Sequence, residues 1–331
     1  MSLRNVCLLP LLVSVLAFAA IGTLTVQIKE YEVPTPKSRP HDPARAPDGS
    51  LWYTGQAANK LGRLDPHTGA FKEYPLKTPH SGPHGLVADR QGNIWFTAIS
   101  AGYVGKLDPK TGDIREYRPA DKTEIDPHTP VFDHNGILWF TNEETNYVGR
   151  LDPATGEIKL AKSPTPHAVP YGIVVLPSNA PFFCEFGTNK VATVDPKTMI
   201  VHEYTLPNAN ARPRRIALAP DGTVFYTDFA RGYLGHFDPS AGKLLKEWPS
   251  PGGSGSEPYG IAVTSDGVVW YSESGVSPNT LIRFDPKSEA FSQEKIPSGG
   301  GVVRNMVATA DNHLYLACSG VNKVAVVDVN K

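Results

Sequence analysis

Asp126-Pro127-His128 and Glu143 are the residues of this chain whose types and spacing come closest to a reactive site. An acid and an imidazole flank one proline, and a second acid follows four positions past Trp139. Imidazole titrates close to neutral pH and serves as a general base or a metal ligand, so chemistry is expected to centre here. His128 also belongs to a wider set. A repeated Pro-His or Pro-Tyr signature and its variants place His41, His84, His128, Tyr171, Arg214, Tyr259 and Arg304 at equivalent positions. Arg214 and Arg304 add positive charge that suits a substrate or product carrying a carboxylate. A second column, three positions past the Trp of the following segment or its equivalent, reads Gly55, Ala98, Asn142, Glu185, Asp228, Glu273 and Cys318. Its acids offer a competing site, and Glu185 and Asp228 have the plainer reading of partners for Arg214. Each histidine also has a plain reading, as a hydrogen-bonded repeat residue.

The signature recurs at intervals of 43, 44, 43, 43, 45 and 45 residues. A period in the forties built from short strands is that of a propeller blade, and seven copies predict an all-β, seven-bladed propeller of four-stranded blades. The second copy shows the plan: inner strand 83–89, then 92–98, 103–109 and 113–119. Asp-Pro-Lys-Thr-Gly between the last two is a turn in which Pro sets φ and Gly accepts positive φ. Trp52, Trp95, Trp139 and Trp270 alternate as packing residues between blades. No stretch shows helical periodicity. The first mouth of the central channel should be ringed by the seven signature residues.

The seventh copy stops after three strands, at 323–329. Its missing fourth strand is of the type seen in FKEYPL and VHEYTLP, and VQIKEYEVP at 26–34 is a spare copy of that type. This N-terminal strand is predicted to complete the last blade and close the ring, making 26–331 one domain. Residues 1–22 read as a signal peptide: Arg4, an apolar run from Val6 to Leu16, and Ala17-Phe18-Ala19 as a small-x-small cleavage site. The expected product is a periplasmic or secreted monomer with no membrane attachment after cleavage. Cys184 and Cys318 are expected to stay unpaired, Cys184 as a small core residue. The net charge is −1 with no basic run, which excludes a nucleic-acid surface.

The pattern P-H-G-[IL]…G-x-[IL]-W-F-T…[VI]-G-[KR]-[LI], best seen at 81–107 and again up to Leu151, resembles the virginiamycin B lyase (streptogramin lyase) family of propellers. The resemblance covers all seven blades. It implies a substrate-contacting histidine, His84, and an acid-Pro-His in the next blade whose His128 is the base. Asp126 and Glu143 would then hold Mg²⁺. Arg214, Tyr259 and Arg304 are expected to contact substrate as members of the signature ring, apart from the resemblance. Two departures stand out. Asp126 replaces the family's Glu, and the quartet lies in blades two and three, whereas the family carries it in its last two. There, Glu257-Pro258-Tyr259 keeps the acid and lacks the imidazole.

The implied reaction opens a cyclic depsipeptide ester by elimination. It needs a base near neutral pH and positive charge where the enolate develops. Two other readings compete: a gluconolactonase-like metal-dependent hydrolase using Glu185, Asp228 and Glu273, and a non-catalytic periplasmic propeller that binds a small molecule or a protein. An exported location fits poorly with a dedicated antibiotic-inactivating enzyme. Geometry discriminates: Glu143 turned away from the channel would make the quartet a coincidence.

Overall fold

The computed structural model describes residues 21–329; the signal-peptide reading lies outside them except for its last two residues. Every strand of the predicted plan is present. Blade two, for example, runs Pro83–Ala88, Ile94–Ala98, Tyr103–Leu107 and Ile114–Tyr117, each antiparallel to the next. Six blades are built this way from consecutive strands. The seventh takes Val303–Ala308, His313–Cys318 and Lys323–Asp328 from the C-terminal end and Gln27–Glu32 from the N-terminal end. Gln27 faces Asp328 and Glu32 faces Lys323 across that seam. The ring is closed as predicted.

An additional strand was not legible in the sequence. Gly22–Thr23 pairs in parallel with the outer strand of blade six, and Leu24 N–H bonds Gln293 O at 3.0 Å. The N-terminal segment therefore ties blade six to blade seven before completing the latter. Removing residues 22–34 should expose an unpaired edge on blade seven and lower stability by several kcal/mol, more than the lost local contacts. Thermal unfolding of chains beginning at 22 and at 35 checks this.

The repeated residues have physical reasons. The indoles of Trp52, Trp95 and Trp139 are fully buried, with N–H groups satisfied by Ser50 Oγ, Asp89 Oδ2 and Asp133 Oδ2. The glycine of the third strand leaves room for the aromatic of the second: a Cβ at Gly105 would fall 2.2 Å from Phe96 Cζ. The threonine of Trp-Phe-Thr links neighbouring inner strands. Thr97 Oγ1 accepts from Gly85 N (2.8 Å) and donates to His128 O in the next blade (2.7 Å). Thr54, Thr141 and Thr227 do the same to His84, Tyr171 and Tyr259. Cys184 takes this position in blade four and is a buried free thiol, as is Cys318.

Each inner strand begins with a register shift that spans the signature residue. In blade three the pairing jumps from Pro127 to Pro130, leaving His128 and Thr129 out of the ladder. Such bulges re-aim side chains. Here they collect the signature residues of all seven blades around the axis.

Candidate functional site at the channel mouth

Six of the seven signature residues, from His41 to Tyr259, pack in succession. His41 packs against His84 with ring centroids 3.7 Å apart, His84 against His128 at 3.8 Å, and His128 against Tyr171 at 4.0 Å, each pair tilted. Tyr171 and Tyr259 share a hydroxyl–hydroxyl contact of 2.5 Å, and Arg214 Nη2 donates to Tyr171 Oη at 3.1 Å. The Arg214 guanidinium lies 3.8 Å from the Tyr259 ring centroid and 4.3 Å from that of Phe229, with Phe186 and Tyr171 also within 5 Å. Arg39 and Arg304 approach closely enough to repel one another. All three imidazoles are buried. Burial first, then the surrounding arginines and neighbouring imidazoles, hold each well below the usual histidine range, so they are neutral bases at pH 7.

One residue deeper, a polar plate crosses the channel. Asp42 Oδ1 meets His41 Nδ1 at 2.8 Å and accepts from Arg215 Nη2 at 3.0 Å; its Oδ2 accepts from Asn305 Nδ2 at 2.9 Å. Arg215 Nη1 donates to Thr129 Oγ1 at 3.1 Å, and Thr129 Oγ1 lies 2.7 Å from His128 Nδ1. Asp42 and Arg215 are 1% and 2% exposed, so this ion pair is fully desolvated. Beyond the plate, a cavity of about 320 Å³ runs between Leu86, Val131, Ile173, Ile216 and Ile261.

Of the four residues, His84, His128 and Glu143 lie side by side at the mouth. Glu143 Oε2 lies 3.9 Å from His128 Nε2, a buried nitrogen with no hydrogen-bond partner. The Glu143 carboxyl is pushed up by burial and then by Glu144, and is pulled down by Arg214. It faces the channel. Asp126 is committed differently: its carboxylate accepts from Glu144 N (2.5 Å), from Thr145 N (3.1 Å) and from the Thr145 hydroxyl. It thus fixes the turn that delivers Glu143. Mg²⁺ is commonly held through one or two carboxylates, with substrate and waters filling the rest. Glu143 offers a carboxylate without a hydrogen-bond donor on it. Asp126, whose charge raises the Glu143 carboxyl, keeps spare lone pairs. Glu143 is the carboxylate of the two that is left open.

Residues 13–275 match the Virginiamycin B lyase family. The chain belongs to the virginiamycin B lyase family. Solved structures of similar fold include a streptogramin B lyase, 24% identical over 92% of this chain and 98% of that one, with a TM-score of 0.84. Virginiamycin B lyase from Staphylococcus aureus is 21% identical over 92% and 99%, with a TM-score of 0.83. A catalytically inactive variant of that enzyme with quinupristin is 20% identical over 92% and 99%, at 0.82. At these identities the likeness shows the shared fold. No curated protein sequence matches.

Within this virginiamycin B lyase-family chain the acidic column behaves differently from its sequence reading. Asp228 bonds Arg231 Nε at 2.6 Å and Arg212 N at 3.0 Å. Glu273 accepts from Ser250, Gly252 N and Thr280. Glu185 is buried with neither oxygen hydrogen-bonded, and burial followed by Glu203 pushes its carboxyl up to about 7. None of these acids pairs with Arg214, which is held by aromatic rings instead. Asp228 and Glu273 are thus taken up by partners in their own blades and loops. Arg39, Asp42, Thr129, Arg215 and Asn305 were missed. The column one past the signature reads Asp, Gly, Thr, Gly, Arg, Gly, Asn, and its polar members are the plate.

Proposed function

We propose that this chain is an exported lyase-like propeller that opens an ester by elimination at the histidine-lined mouth, acting as a monomer on a small molecule. The observation that carries the reading is the bare His128 Nε2 at the mouth beside Glu143. In the step proposed, His128 Nε2 takes the proton α to a carbonyl. The electron pair left behind forms a carbon–carbon double bond, the C–O bond of the ester breaks, and the carboxylate departs without water. His84, packed against His128, orients the substrate. Arg214, Arg304 and Tyr259 receive the carboxylate across the channel. A Mg²⁺ held by Asp126 and Glu143 would supply positive charge to the developing enolate.

One structural relative was solved with quinupristin, which serves as the probe, with Mg²⁺ added for the proposed site. His128→Ala should lower kcat by about 10²–10⁴-fold while circular dichroism and melting temperature show the ring intact. Unchanged turnover in that variant sinks the base assignment. The second reading is a non-catalytic periplasmic binding propeller, favoured by Arg214 and the aromatic rings around it, a recognition surface that needs no base. Retention of quinupristin with no turnover in the wild-type chain would select it.

A further inference from the structure

We infer that His41 and Asp42 form a carboxylate–imidazole dyad that presents an unprotonated His41 Nε2 to the mouth as a hydrogen-bond acceptor that orients substrate, with Asp42 as its positioning residue. The inference rests on the proposed function only for its use in turnover; the state of His41 is decided independently.

The argument begins with hydrogen-bond accounting. Paired with the Arg215 guanidinium and receiving the Asn305 amide, the Asp42 carboxylate only accepts. The His41 Nδ1 contact at 2.8 Å therefore carries its proton on the ring nitrogen. In a neutral imidazole that leaves Nε2 as a lone pair. His128 differs. Its Nδ1 meets the Thr129 hydroxyl, which can donate as well as accept, so nothing beside that nitrogen fixes the tautomer. His84 has an unpartnered Nδ1. Of the three adjacent imidazoles, only His41 has its tautomer set by an acceptor-only partner.

The support is rigid and spans the ring. Asp42 belongs to the inner strand of blade one, Arg215 to blade five and Asn305 to blade seven. The charged and titratable groups around His41 are Arg39 and Asp42 from its own blade, His84, His128, Arg214, Arg215 and Arg304. Burial first, then these cations, keep the imidazole neutral, ready to accept. Ligand atoms of His41, Asp42 and His84 also lie within 4.8 Å of one another. However, Asp42 already carries three donors, one of them a guanidinium, where a cation would have to sit.

Nitrogen-15 NMR of histidine-labelled protein tests this. The wild-type chain should show His41 as the Nδ1–H tautomer, with Nε2 unprotonated across neutral pH. Asp42→Asn should convert it wholly or partly to the Nε2–H tautomer and lower quinupristin kcat at least about tenfold, with KM within about twofold. Asp42→Glu should restore part of both. A wild-type His41 protonated on Nε2 overturns the inference, as does a folded Asp42→Asn with wild-type kcat and pH profile. If Asp42→Asn does not fold, the wild-type tautomer alone decides. A correct tautomer without any wild-type turnover leaves the dyad standing and removes the lyase reading instead.

Discussion

Arg215→Leu should destabilise the ring by about 3–5 kcal/mol, the largest loss expected from a single side chain at the centre of this fold. The guanidinium is desolvated and bonds Asp42 and Thr129 from across the channel. Its removal leaves the Asp42 carboxylate buried with no cation in contact, and that uncompensated charge, more than the lost attraction, sets the cost. Asp42→Leu in the same background should recover much of the loss, because an apolar pair of similar volume replaces a buried ion pair at little net cost. Urea unfolding of the two single variants and the double variant gives the coupling. Equal, additive losses would mean that the plate does not act as a unit.

Glu185→Gln should produce the second large effect, with the opposite sign at alkaline pH. The folded-state carboxyl is pushed up to about 7 from the usual 4.5, so the folded chain holds its proton more tightly than the unfolded chain. Stability from this group is complete below the unfolded value, falls as pH rises from 4.5 towards 7, and levels off above. The pKa difference corresponds to roughly 3 kcal/mol lost by pH 8. The neutral amide does not incur that loss. The variant should melt higher than wild type at pH 8, and the two should converge near pH 5. Parallel melting curves at both pH values would show that the carboxyl is not desolvated as described.

The two predictions concern residues that the sequence treats very differently. The architecture was legible because its repeat is carried by residues with one structural job each: the Trp that packs, the Thr that bridges inner strands, and the Gly that admits an aromatic ring. The closing strand was legible as a spare copy of a pattern missing elsewhere. Gly22–Thr23 was not, since two residues carry no period. At the site, the signature column identified the mouth because a bulge in every blade points the same position inward. The partners of Asp228 and Glu273 were not legible, because a column specifies a strand position and not where its side chain finds partners. Asp42 and Arg215 were overlooked for a related reason: their pairing joins blades one and five, and contacts across a ring leave no local spacing.

The elimination itself is the claim on which the site assignment depends, and the product mass tests it most directly. In heavy-oxygen water with Mg²⁺, the wild-type chain should convert quinupristin to a linear product of unchanged mass with no label, and His128→Ala should leave it cyclic. A labelled product heavier by one water, or conversion that survives His128→Ala, would contradict the account.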